Sequence, residues 1–275
     1  MSEDAATTPQ EALEKAVADS RRVSTTGDIE VATYLEIAQG ERVRGGHPYQ
    51  DTTEPETVII MDFGSQYSHL IARRVREANV FCEIVPHSAK GAVLENKNVV
   101  GIILSGGPNS VYEDDAPLTP GWVFDAGVPI LGICYGMQAL AHQLGGKVTA
   151  GLQQEYGYAV IHRNDQTTEL LEGLDEASPV WMSHGDRIET LPPGFKSLAY
   201  SENSPVAAIG NDAGIFGIQF HPEVAHTPQG AMLLSNFVHK ICGAAGDWTP
   251  GHFVTEAIER IKQQVGDGKV ICALS

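Results

Sequence analysis

The sequence has only four cysteines, Cys82, Cys134, Cys242 and Cys272, and they lie far apart. No C-x-x-C pair occurs, and the ten histidines include no H-E-x-x-H motif, so we predict no metal site. The N-terminus has no basic region followed by an apolar stretch, and we identify no secretion signal. These absences favour free thiols in a reducing cytoplasm over a disulfide framework.

Basic residues and long apolar runs are also scarce. The 18 lysines and arginines face 35 acidic residues, which gives a net charge of −17. Because phosphate backbones attract clustered Lys and Arg, this balance argues against a nucleic-acid partner. No apolar run approaches the roughly 20 residues of a membrane-spanning helix, so we expect no membrane partner. With 42% hydrophobic residues, the 275-residue chain can bury a sizeable core.

Three regions differ in composition. Residues 1–56 hold 12 acidic and 5 basic residues and end in turn-forming residues, which predicts a mobile extension. In residues 57–245, apolar runs alternate with glycine-bearing turns and helical patterns, as in a single domain. Residues 246–275 predict a linker helix, started by Thr249 and Pro250, and then a new buried strand.

The region 57–245 has the pattern of an α/β domain. Continuous apolar runs are typical of buried parallel strands with helices on both faces; they are 57–62, 80–85, 99–104 and 128–133. Later runs are shorter and alternate, which predicts antiparallel additions; they are 157–162, 197–201, 205–210 and 214–220. We therefore predict an open, mostly parallel twisted sheet that binds ligands at the carboxyl ends of its strands.

Cys134 lies where the predicted strand 128–133 gives way to a predicted helix, 135–144. Gly132 and Gly136 flank it two residues away on either side, in the arrangement of the G-x-S-x-G nucleophile elbow. Glycine suits both positions because side chains there would collide with the sharply turning backbone. A helix N-terminus also stabilises a thiolate. Cys134 is a candidate nucleophile, with a buried structural cysteine as the alternative.

A candidate base follows the predicted strand 214–220, in the stretch HPEV. His221 could take the thiol proton and later protonate a leaving amine, while Glu223 orients the imidazole and stabilises its cation. The alternative is a surface turn in which both side chains are solvated.

A third strand end carries the stretch LSGGPNS at 104–110. Gly106 and Gly107 let backbone N–H groups approach a substrate oxygen, and the N–H of Tyr135 would complete an oxyanion hole. A plain turn is the alternative for this glycine pair. Three such features at three strand ends favour a catalytic site over three unrelated turns.

The motifs SGGP, GICYGMQ and HPE resemble the signature set of the class I glutamine amidotransferases over residues 57–243. The resemblance implies a flavodoxin-like core and a triad that hydrolyses the amide of L-glutamine through a glutamyl thioester. It implies Cys134 as nucleophile, His221 as base and Glu223 as orienting residue. The remaining implied contacts are oxyanion hydrogen bonds from Gly107 and Tyr135, and glutamine contacts from Gly106, Gln138, Ser183 and His184.

Two further stretches, at 61–77 (MDFGSQYSHLIARRVRE) and 181–188 (WMSHGDRI), are similar to GMP synthetases. In that family the ammonia passes to an ATP-pyrophosphatase domain, which uses ATP and Mg to aminate XMP to GMP. Residues 246–275 would then begin such a domain, but the chain has no glycine-rich pyrophosphate loop. We expect a truncated, cytoplasmic enzyme of purine biosynthesis, without a cofactor in this chain and homodimeric through the missing part.

Two other functions remain open at this point. The chain could be the glutaminase subunit of another synthetase, such as one that makes anthranilate or carbamoyl phosphate. It could also be a catalytically silent interaction module that keeps the fold.

Overall fold

The computed structural model describes residues 54–164 and 168–249, together with 261–263, 265, 266 and 268. Its strands are β1 (Glu56–Asp62), β2 (Phe81–Pro86), β3 (Asn98–Leu104), β4 (Ile130–Ile133), β5 (Lys147–Arg163), β6 (Ala177–Thr190), β7 (Lys196–Tyr200), β8 (Ala208–Gly210) and β9 (Ile215–Ile218). Its helices include α1 (Ser68–Glu77), α2 (Gly121–Asp125), α3 (Tyr135–Gln143) and α4 (Gly230–Ser235), which continues as a π-helix over Asn236–Ile241.

The strands form one sheet in the order β2-β1-β3-β4-β9-β8-β7-β5-β6. The first five in this order are parallel to one another. The other four extend the sheet by antiparallel pairing. The prediction of an open α/β sheet with antiparallel additions is therefore confirmed. The prediction for 214–220 is wrong in part, because β9 pairs in parallel with β4 and is antiparallel only to β8 on its other edge.

The middle residues of the central strands are apolar on both faces because both faces of the sheet are covered. Val58 and Ile60 of β1 pack on one side with α1 and α4, while Ile59 and Met61 pack on the other side with α2 and α3. Strands buried on both faces lose the alternation of apolar and polar residues that marks a half-exposed strand. The same double burial explains why the sequence located these strands well.

The long β5–β6 pair differs from the sequence prediction. Only 157–162 is predicted as a strand, whereas β5 has 17 residues and pairs with the 14-residue β6. The pairing shifts register between Ala150 and Glu155. In β6 every second side chain is buried, but Ser178, His184 and Asp186 are among them. Polar residues at buried positions hide the apolar alternation on which strand prediction depends.

Several sequence predictions lie outside the described residues. They include nearly all of the predicted extension, most of the linker helix and the strand that follows it, so the boundaries at 57 and 245 stay predictions. Cys272 also lies outside, while Cys82, Cys134 and Cys242 are free thiols. None of the helices in the described ranges is both long and apolar enough to cross a membrane.

Candidate active site

Cys134 lies between β4 and α3 in a strained turn. Its backbone has φ 52° and ψ −106°, a conformation that residues other than glycine rarely adopt. Hydrogen bonds hold the turn: the Cys134 N–H donates to the carbonyl of Ile218 (2.7 Å), and the Gly136 N–H donates to that of Ser105 (3.1 Å). The chain thus presents the thiol at the carboxyl edge of the parallel strands, as the elbow pattern predicts.

The two flanking glycines leave no room for a side chain. A Cβ atom on Gly132 would lie 2.6 Å from the backbone of Gly136. One on Gly136 would lie 2.5 Å from the carbonyl oxygen of Leu104 at the end of β3. The prediction that the turn requires glycine at both positions is confirmed.

His221 and Glu223 form a buried pair next to the thiol. The Nδ1 atom of His221 lies 2.7 Å from Oε1 of Glu223, and the two side chains are 5% and 0% exposed. Burial by itself lowers the pKa of His221, but hydrogen bonds and charge interactions with Cys134 and Glu223 raise this pKa to about 10. The geometry therefore favours an imidazolium beside the sulfur, which is the charge state that stabilises a thiolate.

Backbone contacts fix the position of the His221 ring. The His221 N–H donates to the carbonyl of Trp181 in β6 (3.0 Å), and the Thr227 hydroxyl donates to the His221 carbonyl (2.6 Å). The Tyr67 and His221 rings pack in a T-shaped contact at a centroid distance of 5.3 Å. From α1, Arg74 Nε donates to the carbonyl of Glu223 (3.3 Å). The motif 61–77 therefore supports the site as well as marking a resemblance.

The loop after β3 lies against both reactive side chains. A Cβ on Gly106 would lie 3.3 Å from Cε1 of His221 and 3.8 Å from Cβ of Cys134. Ser105 Oγ donates to the carbonyl of Gly106 (2.8 Å) and accepts from the N–H of Phe63 (3.0 Å). Because the peptide is planar and trans, this bond turns the N–H of Gly107 to the opposite side. Neither this N–H nor that of Tyr135 donates to another described residue.

Three of the predicted glutamine contacts, Gln138, Ser183 and His184, have hydrogen-bond partners in the structure. Ser183 presents its carbonyl to the sulfur at 3.5 Å. Gln138 is 3% exposed, and its Nε2 donates to the carbonyl of Asp186 (3.2 Å) and to Oε1 of Gln219 (3.1 Å). The His184 ring bonds to Glu155 Oε2 (3.0 Å) and to the carbonyl of Asp186 (2.9 Å). The side chains of Gln138 and His184 thus hydrogen-bond to the same carbonyl, that of Asp186.

Comparisons with known proteins agree with this geometry. The family model for class-I glutamine amidotransferases matches residues 59–241. The chain is 53% identical over 247 residues to the GMP synthase [glutamine-hydrolyzing] of Dehalococcoides mccartyi strain CBDB1, and covers 46% of that protein with 90% of its own length. A GMP synthase [glutamine-hydrolyzing] of Alkalilimnicola ehrlichii is 54% identical over 226 residues, which cover 79% of this chain and 43% of that protein. This chain belongs to the class I glutamine amidotransferases.

Solved structures show the same fold. A Thermoplasma acidophilum protein assigned as part of a GMP synthase is 29% identical, with a TM-score of 0.64 over 76% of this chain and all of its own. A glutamine amidotransferase from Thermotoga maritima is 20% identical, with a TM-score of 0.56 over 69% of this chain and 99% of its own. The chain spans less than half the length of the two curated GMP synthases.

Sequence reasoning missed several residues of the amidotransferase site. Gln219 is fully buried, and its Nε2 lies 3.7 Å from the Cys134 sulfur. The only sequence signal for Gln219 is its position two residues before His221 of the HPE motif. Asp186 accepts hydrogen bonds from Ser110 (2.5 Å) and Tyr112 (2.8 Å) and so ties the loop after β3 to β6. These residues lie more than 70 positions apart, and no spacing rule connects them.

Proposed function

We propose that this domain hydrolyses L-glutamine to glutamate and ammonia, with Cys134 as nucleophile, His221 as acid and base, and Glu223 as the residue that orients the imidazole. The observation that carries the proposal is the buried His221–Glu223 pair beside a thiol on a strained elbow. Such an arrangement activates a cysteine for acyl transfer.

In the first half of the reaction, the Cys134 thiolate attacks the side-chain amide carbon of glutamine. The C–S bond forms as the carbonyl becomes an oxyanion, which then accepts hydrogen bonds from the N–H groups of Gly107 and Tyr135. His221 gives its proton to the leaving nitrogen, the C–N bond breaks, and ammonia departs from a glutamyl thioester.

In the second half, His221 takes a proton from water as the water oxygen attacks the thioester. The C–S bond breaks, glutamate leaves, and the proton returns the His221–Cys134 pair to its first state. Gly106, Gln138, Ser183 and His184 hold the substrate, with His184 acting through its backbone. The triad consumes no cofactor in this scheme.

The domain is proposed to supply ammonia for the amination of XMP to GMP. Relatives named GMP synthase [glutamine-hydrolyzing], more than 50% identical to this chain, support XMP as the acceptor over the acceptors of synthetases that make anthranilate or carbamoyl phosphate. The partner is then an ATP-pyrophosphatase domain that binds XMP, ATP and Mg. A cytoplasmic homodimer stays a prediction, and light scattering of the full-length protein tests the dimer.

A diazo-ketone analogue of glutamine tests the glutaminase. It should alkylate Cys134 and leave Cys82 and Cys242 unmodified, as read by peptide mass spectrometry. The matched control is the Cys134→Ala variant, which should take up no label. Absence of labelling even with the ATP-pyrophosphatase domain and its nucleotides present would favour the silent interaction module.

Isotope transfer tests the acceptor separately. Glutamine labelled with ¹⁵N in its amide, mixed with the chain, an ATP-pyrophosphatase domain, ATP, Mg and XMP, should give ¹⁵N-labelled GMP. Hydrolysis of glutamine without label in GMP would point to another synthetase as the partner.

A further inference from the structure

A second pair of buried ionisable side chains lies behind the strand segment that faces Cys134. Glu155 in β5 and His184 in β6 are directly opposite each other in the ladder. Nε2 of His184 lies 3.0 Å from Oε2 of Glu155, and the side chains are 5% and 6% exposed. Two ionisable groups buried to this extent are costly unless they pair, so the pairing is a specific feature of the site.

Both nitrogens of the His184 ring have hydrogen-bond partners. Nδ1 lies 2.9 Å from the carbonyl of Asp186, which can only accept, and Nε2 faces the carboxylate of Glu155. Nδ1 therefore donates to the Asp186 carbonyl, while Nε2 hydrogen-bonds to Glu155. Glu155 also accepts from the Ser201 hydroxyl, at 2.9 Å from Oε1 and 3.2 Å from Oε2. Burial raises the pKa of Glu155, but the hydrogen bonds from His184 and Ser201 outweigh it and lower this pKa.

A hydrogen-bonded chain links this pair to the nucleophile. The Asp186 carbonyl that accepts from His184 also accepts from Nε2 of Gln138 at 3.2 Å. The same nitrogen donates to Gln219, whose own amide nitrogen lies 3.7 Å from the sulfur of Cys134. The Asp186 carbonyl is therefore one of two acceptors that orient the Gln138 amide, and His184, paired with Glu155, hydrogen-bonds to that carbonyl.

We propose that Glu155 is a positioning residue for glutamine binding, which acts through His184 and the Asp186 carbonyl on the side chain of Gln138. The inference rests on the proposed function, in which Gln138 contacts glutamine. It separates two properties of the site. Recognition of glutamine depends on Glu155, whereas the reactivity of the thiol depends on His221 and Glu223, which Glu155 does not contact.

Two electrophiles separate these properties. The diazo-ketone analogue must occupy the glutamine site before it alkylates Cys134, whereas iodoacetamide needs only a reactive thiol. In Glu155→Gln, the amide keeps the shape but replaces the carboxylate that holds the His184 ring. We expect alkylation of Cys134 by the analogue to slow about 10-fold or more. Changing a residue that orients a binding group, without contacting the ligand itself, typically weakens binding by this amount. The rate with iodoacetamide should stay within about twofold.

The chain offers a matched control and a milder variant. Glu202 is the neighbour of Ser201 but is exposed, so Glu202→Gln makes the same charge change without touching the pair and should leave both rates unchanged. Ser201→Ala removes one donor to Glu155 and should slow the analogue in the same direction by a smaller factor. This variant keeps the test decisive if Glu155→Gln does not fold.

The outcomes distinguish the proposals. A Glu155→Gln protein alkylated by the analogue at the wild-type rate overturns the positioning role alone. An equal slowing with both reagents overturns it too, because that result indicates general damage to the site. A wild-type chain that the analogue does not label, even with the ATP-pyrophosphatase domain and its nucleotides present, overturns the proposed function and this inference together.

Discussion

Glu223 directs one carboxylate oxygen at His221 from 2.7 Å, while its other oxygen, Oε2, is buried without a donor among the residues that the structure describes. A buried acceptor without a donor costs stability. The imidazole is thus the one side chain that hydrogen-bonds to this carboxylate within the described ranges. The arrangement suits a residue whose purpose is to orient and charge a histidine, and it has direct consequences for activity and for stability.

Glu223→Gln should weaken turnover without removing it. The amide can still accept a hydrogen bond from Nδ1 but brings no charge to stabilise the imidazolium. We expect its loss in kcat to be about 100-fold smaller than that of Cys134→Ala, since orientation contributes less than bond formation. Glutamate release in the presence of the ATP-pyrophosphatase domain and its nucleotides measures both. Equal losses in the two variants would contradict the assigned roles.

Stability should fall as the pH rises above about 6.5, because the pKa of His221 is raised from 6.5 to about 10 in the folded protein. A raised pKa means that the folded state holds the proton more tightly. This contribution is therefore complete below the unfolded pKa and is lost as the pH rises toward the folded one.

The Cys134→Ala variant gives the cleanest measurement, because it has no thiol at position 134 that could exchange a proton with His221. The hydrogen bond and charge of Glu223 still raise the pKa of His221 in this variant, although the contribution of Cys134 is lost. The free energy of unfolding of this variant in urea should therefore fall above pH 6.5, by at most about 1.4 kcal/mol per pH unit and over a narrower pH range than in the wild type. The Cys134→Ala, Glu223→Gln double variant should show a smaller fall. Burial raises the pKa of Cys82 to about 11 and that of Cys242 to about 12, so these thiols add to the fall only above about pH 9. A flat profile from pH 6.5 to 8.5 would refute the coupling.

Four of the five parallel strands and the proposed triad residues could be located from the sequence because their signals are local. Each parallel strand is a short apolar run, and Cys134 and His221 each follow the end of such a run. Chemistry at the carboxyl ends of parallel strands is a general property of open α/β sheets. Short-range pattern and topology together were enough for this part.

The β6 strand and the groups behind the thiol could not be predicted in the same way. Their defining contacts join residues far apart in the chain, such as Glu155 with His184, 29 positions on, and Ser110 with Asp186. Each of these side chains is polar and occupies a position that a pattern rule treats as solvent-facing. Only the three-dimensional register of β5 against β6 identifies them as partners.

The strain at the elbow should be measurable as stability. Because Cys134 has a positive φ of 52°, glycine should be more stable at this position than alanine. We expect Cys134→Gly to exceed Cys134→Ala by about 1 kcal/mol in the free energy of unfolding, with both variants inactive. Chemical denaturation at one pH gives the comparison. A Cys134→Ala protein at least as stable as Cys134→Gly would show that the turn is not strained.

Gly136→Ala should damage the fold as well as the site. The added Cβ would lie 2.5 Å from the carbonyl oxygen of Leu104, and this backbone atom cannot move without disturbing β3. We expect a loss of about 1–3 kcal/mol in the free energy of unfolding. Gly121→Ala is the matched control, since no atom lies within 4 Å of its Cβ position, and its stability should change by less than about 1 kcal/mol. Equal effects in both variants would contradict the steric argument.

Ser105→Ala should slow the chemical step more than it weakens substrate binding. Without the hydroxyl, the buried N–H of Phe63 loses its acceptor and the Gly106 carbonyl loses the donor that sets its direction. The N–H of Gly107 is then no longer held toward the position where the oxyanion forms. Because that interaction strengthens only in the transition state, kcat should fall about 10-fold or more while KM changes little. Ser178→Ala removes an equally buried hydroxyl that bonds to Asp175 and Gln229, and it should leave kcat unchanged. A Ser105→Ala enzyme with altered KM and normal kcat would place the serine in substrate binding instead.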